Sequence, residues 1–417
     1  MKGRPFGRVR RAGLTVGVVA SLGLAGAAAQ ASIAVHPGAG RPARGAADRA
    51  CAAADRSPAP RPGTGGTGGT AYVANDASGT VTPIIIATGQ ARHAIKVGAN
   101  PAAIAIAPDG KTAYVVNSDI SGAGTGTVTP VSTATGKTAP AIPVGNSPSA
   151  IAITPDGETA YVVNSNSGTV TPISTGTGQA RHAIDVGGYP AAIAITPDGK
   201  TAYVVNTESS GTVTPISTAT GQAGPAIRVG TYPDLIAITP DGKTAYVVNT
   251  DILGAGTVTP ITIATGRAGP AIRVGRYPAA IAITPDGKTA YVANQNSGMG
   301  TVTPINTAAN QAGPAIKVGT LPDAIAITPD GKTAYVADRG SGTVTPLSTA
   351  TGKAGRAIKV GTYPQMIAIT CDGKTAYVMN AASGTVTPIT IATGKAGSAI
   401  KVGTDPDTIV IVPGSPG

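Results

Sequence analysis

A twelve-residue phrase that repeats along the chain, four short apolar segments that return in fixed order, and turn residues at constant points predict an all-β fold. The form they predict is a single β-propeller of eight four-stranded antiparallel blades. The phrase is I-A-I-T-P-D-G-K-T-A-Y-V at Ile193–Val204. It recurs unchanged at Ile236–Val247, Ile281–Val292 and Ile325–Val336, with near-copies at Ile104–Val115, Ile151–Val162 and Ile367–Val378.

Each segment is short, β-branched and bounded by Gly, Pro, Asn or Asp, which is how a strand reads. The T-A-Y-V segment has its Tyr at 72, 114, 161, 203, 246, 291, 335 and 377. The G-T-V-T-P segment follows, with Val81 in its first copy, then A-I-x-V-G with Val97, then I-A-I starting at Ile104. Between I-A-I and Y-V, the T-P-D-G-K stretch supplies a Pro suited to φ near −65° and a Gly for positive φ, a tight antiparallel turn. A-T-G between the second and third segments does the same. Large Ile and small Ala alternate in I-A-I-T, so the two faces of the strand differ in size and sheets stack closely.

The array starts on a Y-V strand and stops on an I-V-I strand, Ile409–Val412. That offset predicts closure: the C-terminal inner strand completes the N-terminal blade, and no free sheet edge is left at the join. The predicted organisation is a secretory signal at 1–31, a linker at 32–69, the propeller at 70–413 and a tail at 414–417. Lys2, Arg4, Arg8, Arg10 and Arg11 precede the apolar stretch Leu14–Ala29, and Ala29-Gln30-Ala31 fits a cleavage site. The expectation is a secreted or cell-surface protein with no transmembrane segment after cleavage. The linker is rich in Ala, Pro, Gly and Arg and lacks apolar periodicity, so it reads as flexible.

The formal charge of +11 is uneven. Residues 1–69 hold ten Lys/Arg against two Asp, and the rest hold 21 against 18, so the ring carries only +3. A high pI that resides in the leader and linker speaks weakly for nucleic-acid binding by the folded part.

The Y-V-x-N runs carry a resemblance. Tyr72-Val73-Ala74-Asn75, Tyr114-Val115-Val116-Asn117 and their counterparts up to Tyr377-Val378-Met379-Asn380 are similar to the YVTN-type β-propeller repeats of prokaryotic secreted and surface-layer proteins. At Tyr335 to Asp338, Asp replaces the Asn. The resemblance implies that I-A-I is the innermost strand and A-I-x-V-G the outermost. Members of that family are often seven-bladed; this chain counts eight.

In an antiparallel meander the P-D-G and A-T-G turns share one face, the bottom. The loops after Y-V-x-N and before I-A-I share the other, the top. Bottom turns are nearly uniform and top loops differ, so the top is where a repetitive ring presents distinct side chains. The top loops hold nine carboxylates against Arg276 and Arg339, so the sequence predicts an acidic top and a basic underside and girdle. Tyr189, Tyr232, Tyr277 and Tyr363 each precede the inner-strand Pro, with Leu321 in the same slot. After that Pro come Asp234, Asp323, Gln365 and Asp407. The four tyrosines, Asp234, Asp323, Gln365, Asp407, Arg276 and Arg339 are the candidate ligand site. A Tyr-and-carboxylate mouth suits a sugar, a cation or a basic peptide. The competing reading is structural: Tyr-Pro packs the seams between blades and the Asp side chains cap turns.

No catalytic residue, metal site or cofactor is expected. His36 is in the linker, and His93 and His182 are on outer strands, so no Ser-His-Asp arrangement forms. There is no Cys/His metal spacing and no haem motif. The absence of Trp speaks against quinone-dependent propeller dehydrogenases. Asp234, Asp323 and Asp407 are on blades too far apart in order to chelate one small ion. Cys371 replaces the Pro of one P-D-G turn, and Cys51 is the only other cysteine. In an oxidising compartment a Cys51–Cys371 disulfide would pin the linker beneath the ring. The expected function is a binding or structural scaffold, with a cell-envelope polymer, glycan or protein as partner. The alternative is a propeller hydrolase or lyase of the lactonase kind.

Overall fold

The computed structural model describes residues 69–118, 125–251, 253–296 and 298–412. It is an all-β ring of eight blades, and the described residues contain no helix. Blade 4 shows the plan. Its inner strand Pro190–Ile195 pairs antiparallel with Thr201–Asn206, which pairs with Thr212–Ser217, which pairs with the outer Ile227–Arg228. Register is fixed by Ile193 opposite Val204, Tyr203 opposite Pro215, and Thr212 opposite Arg228.

The P-D-G hairpin holds this register locally. The Thr196 hydroxyl donates to Asp198 Oδ1 at 2.6 Å, and the Lys200 N–H donates to the same oxygen at 3.1 Å. Gly199 supplies φ +74°, the left-handed residue the turn requires.

The ring closes as the sequence offset predicts. Strand Pro406–Val412 pairs with Thr70–Asn75, with Ile409 opposite Val73. The inner strands of successive blades contact one another around a complete circuit.

The core is divided among the seams rather than central. Between blades 3 and 4, Tyr161, Val163 and Val170 pack on Ile193, Ile195 and Val204. Between blades 4 and 5, Ala192, Ala194 and Tyr203 pack on Ile236, Ile238 and Val247. The Ile face of one inner strand thus meets the Tyr-Val face of the blade before it, and its Ala face admits the blade after it. Five of the phrase tyrosines, Tyr72, Tyr114, Tyr161, Tyr246 and Tyr291, also bond across a seam: the Tyr72 hydroxyl donates to the Thr133 carbonyl at 2.9 Å, and Tyr291 to Thr349 at 3.3 Å.

The outer strand departs from the sequence expectation. It is interrupted: in blade 1 it forms two pieces, Gln90–Ala91 and Ile95–Lys96. The cause is the Pro of G-T-V-T-P, which has no N–H to give the ladder. Its carbonyl is still used, accepting the Arg92 N–H at Pro83 and the Gly224 N–H at Pro215, both at 2.8 Å. The chain bulges beyond that bond and resumes pairing at Val81–Ile95 and Val213–Ile227.

Candidate functional site

The Asn of each Y-V-x-N run serves the seam, not a ligand. Asn164 donates to the Thr171 and Thr169 hydroxyls at 2.9 and 3.1 Å and accepts the Gly145 N–H of the preceding blade at 3.1 Å. Asp338 takes the same place in blade 7 and is fully buried. There Thr345 and Thr343 donate to it at 2.6 and 3.2 Å. Burial raises its carboxyl to about 6, against the pull of those hydroxyls and the Gly319 N–H. The sequence count that placed Asp338 among the top-face charges is corrected by this: it lies in the seam. Asp119, another of those nine, is outside the described residues.

Just beyond this layer lies the mouth. The residue before the inner-strand Pro has positive φ in all eight blades: Asn100, Ser147, Tyr189, Tyr232, Tyr277, Leu321, Tyr363 and Asp405, from +44° to +56°. Left-handed backbone costs a non-glycine residue about 1 kcal/mol or more, and bulky Tyr rarely adopts it. One hydrogen bond accompanies it everywhere. The carbonyl of that residue accepts the N–H of the residue after the Asn, as in Thr207 to Tyr189 at 3.0 Å and Asp76 to Asp405 at 2.9 Å. The same backbone therefore carries different side chains around the ring.

The Tyr rings do not fill the seams. Tyr189 is 65% exposed, Tyr363 51%, Tyr277 42% and Tyr232 37%, while the following prolines are buried. Arg276 stacks over Tyr277 at 5.7 Å, and Arg339 over Tyr363 of the next blade at 5.9 Å. Arg276 also donates to the Leu253 carbonyl. Leu253 and Met299 are exposed on neighbouring top loops.

The residues after the Pro form an uneven ring. Blades 2 to 4 contribute Ala102, Ser149 and Ala191, where Ser149 and Ser165 share a 2.8 Å hydroxyl bond. Blades 5 to 8 and blade 1 contribute Asp234, Ala279, Asp323, Gln365 and Asp407. Asp323 is joined to Gln295, which donates to it at 2.8 Å, and to Arg339, whose Nε is 3.9 Å away. Burial raises the Asp323 carboxyl, opposed by Arg339 and Gln295.

Asp407 has acids for company. Burial first, then Asp76 and Asp405, push it up to about 8. Asp76 is raised too, by burial and Asp405, with the Asn100 side chain opposing. Asp234 stands apart: burial alone lifts it to about 7, and its Oδ1 is enclosed without a hydrogen-bond partner. All four of these carboxyls are shifted toward the protonated form, which softens the acidic top expected from formal charge. The Gln365 side chain has no hydrogen-bond partner among the described residues. No group of three or more metal-ligating side chains occurs among them.

Sequence reading missed Asp76, Asn100 and Gln295 as members of the mouth. Only Asp76 carried a signal, as a top-loop acid. The others act through neighbours in the next blade. Cys51 lies outside the described residues, so its pairing with Cys371 does too; the signal segment and the linker up to Gly68 are likewise outside.

A cavity of about 420 Å³ opens on the opposite face, between the P-D-G turns of blades 6 and 7. Its carboxylates are already engaged: Asp286 with Thr284 and Lys288, Asp330 with Thr328 and Lys332. It is an open seam built from repeat residues, and we place the candidate site at the mouth.

Solved structures share this architecture. The chain is similar to Kuenenia stuttgartiensis hydrazine synthase, with 28% identity and a TM-score of 0.58 over 70% of this chain and 96% of that one. It is also similar to the dihydro-heme d1 dehydrogenase NirN, at 14% identity and a TM-score of 0.67, covering 85% of this chain and 78% of that one. Citrobacter koseri AztD matches at 14% identity and a TM-score of 0.61, over 84% of this chain and 99% of its own. These likenesses support a β-propeller; the latter two show the fold alone. No family model matches the chain, and no curated protein does.

Proposed function

We propose that this chain is an exported, cell-envelope propeller of the YVTN type that acts as a binding scaffold. Its ligand is an envelope glycan seated on the top mouth, across the arc from Tyr232 to Asp407. The observation that carries this reading is Asp234: a carboxylate oxygen enclosed without a partner, two residues from an exposed Tyr. An unpaired buried acceptor costs free energy, and a ligand donor would recover it once the mouth loop shifts to uncover the oxygen. Tyr faces stack on sugar rings, and carboxyl and carboxamide groups bond to hydroxyls.

The test is a binding screen of envelope glycan fractions against the intact ring, repeated with Tyr232→Ala and Asp234→Asn. Retention of a fraction by the wild type and its loss in both variants supports the reading. Equal retention by all three contradicts it.

A hydrolase or lyase is the second reading. It is favoured by the same Asp234, because a carboxyl near 7 suits general acid–base work at neutral pH. Turnover of a lactone or ester panel that disappears in Asp234→Asn would establish it instead.

A further inference from the structure

The outer strands carry cations in a pattern that the mouth does not explain. Lys96, Arg228, Arg273, Lys317, Lys359 and Lys401 occupy one register position, each opposite the first Thr of its G-T-V-T-P strand. All six are exposed. They belong to blades 4 to 8 and blade 1, which are consecutive around the closed ring. Blades 2 and 3 break the series with Pro143 and Asp185.

These cations differ from the lysines of the underside. Lys111, Lys200, Lys243, Lys288, Lys332 and Lys374 each face the Asp of their own turn at 3.5 to 4.0 Å. Among the described residues none of the six outer-strand cations has a carboxylate within that distance. Six like charges on one rim repel one another, and a counter-charged partner relieves this.

We infer that this arc is a docking surface for a flexible linear polyanion, a chain of phosphate groups laid along the circumference. The cations are spread one per blade and do not converge, so a small anion would meet only one of them. A chain meets several, and each contact after the first is intramolecular. Flexibility matters because the arc is curved. Duplex DNA, stiff over about 150 base pairs, would have to bend sharply to follow it. This surface is independent of the mouth and of any ligand there.

The test titrates the full-length protein with linear polyphosphate at about 0.05 and 0.2 M salt. One variant combines Arg228→Gln, Arg273→Gln and Lys317→Gln. Its control combines Lys200→Gln, Lys243→Gln and Lys288→Gln, which loses the same charge from the paired turns. Both sets are at exposed positions, and matching thermal transitions would confirm intact rings. The arc variant is expected to bind about tenfold or more weakly at the lower salt, with a log–log salt slope reduced by roughly two. The control is expected to stay within about threefold. Equal weakening in both variants would reduce the effect to net charge. No binding by the wild type, no weakening in the arc variant, or tighter binding of duplex DNA with the same number of phosphates would each overturn the inference. Asp234→Asn should leave polyphosphate binding unchanged.

Discussion

The Asn75 side-chain oxygen accepts the Gly403 N–H at 2.9 Å, joining residues 328 positions apart in the chain. The fit is close enough that a Cβ on Gly403 would stand 2.5 Å from Asn75 Cγ. Asn75 is fully buried, and its amide also donates to Thr82 Oγ1 at 3.0 Å. Gly403→Ala should therefore destabilise the closure seam by about 1–3 kcal/mol through overpacking. Asn75→Ala should cost a similar amount by stranding the Gly403 N–H and the threonine hydroxyl. Urea unfolding midpoints of the two variants check both, and an unchanged midpoint in either would count against this seam as the closure.

Asp338 makes a pH-dependent contribution. Its folded value of about 6 lies above the ordinary carboxyl value of 3.8. The folded state holds the proton more tightly, so this stability is fully present below about pH 4 and is lost as pH rises through about 6. Asp338→Asn should raise the unfolding free energy at pH 7 to 8 by up to about 3 kcal/mol, with little gain at pH 4. A gain independent of pH would contradict the assignment. Asp407, at about 8, has the same sign, and its stability is lost over a window reaching higher in pH.

Tyr189 is 65% exposed and has φ +50°. Removing its ring does not relieve the backbone; only glycine does. Tyr189→Gly should be more stable than Tyr189→Ala by up to about 1 kcal/mol, the left-handed cost less the extra freedom glycine has when unfolded. Thermal or urea unfolding of the pair decides it, and an alanine variant at least as stable would argue that the position is unstrained.

The hairpin, the strand order, the count of eight and the closing offset were legible in the sequence. They are local or periodic: Pro197, Asp198 and Gly199 settle their turn by themselves, and Ile193 and Ala194 declare their two faces. The interrupted outer strand was legible in principle, since Pro215 announces a missing donor. The mouth was less so. A residue before Pro reads as extended, yet Tyr232 has φ +44°, with its carbonyl accepting the Thr250 N–H of the same blade. Asp323 meets Gln295, and Asp407 meets Asp76, only once the chain has folded into a circle. Asp338 counted as a top-loop acid and is a seam residue, because its own blade's threonines and the Gly319 N–H of the adjacent blade hold it there.

The two cysteines give a separate prediction. Peptide mapping of the full-length protein, oxidised and without reductant, should recover Cys51 and Cys371 in one linked peptide that separates on reduction. Both recovered as free thiols would dismiss the pairing.

The binding role of the mouth is most directly tested by hydrogen–deuterium exchange of the full-length protein with and without envelope glycan. Protection is predicted in the loops that carry Tyr232–Asp234 and Tyr363–Gln365, with the P-D-G turns unchanged. Protection confined to the P-D-G turns, or none in either loop at saturating glycan, would contradict it.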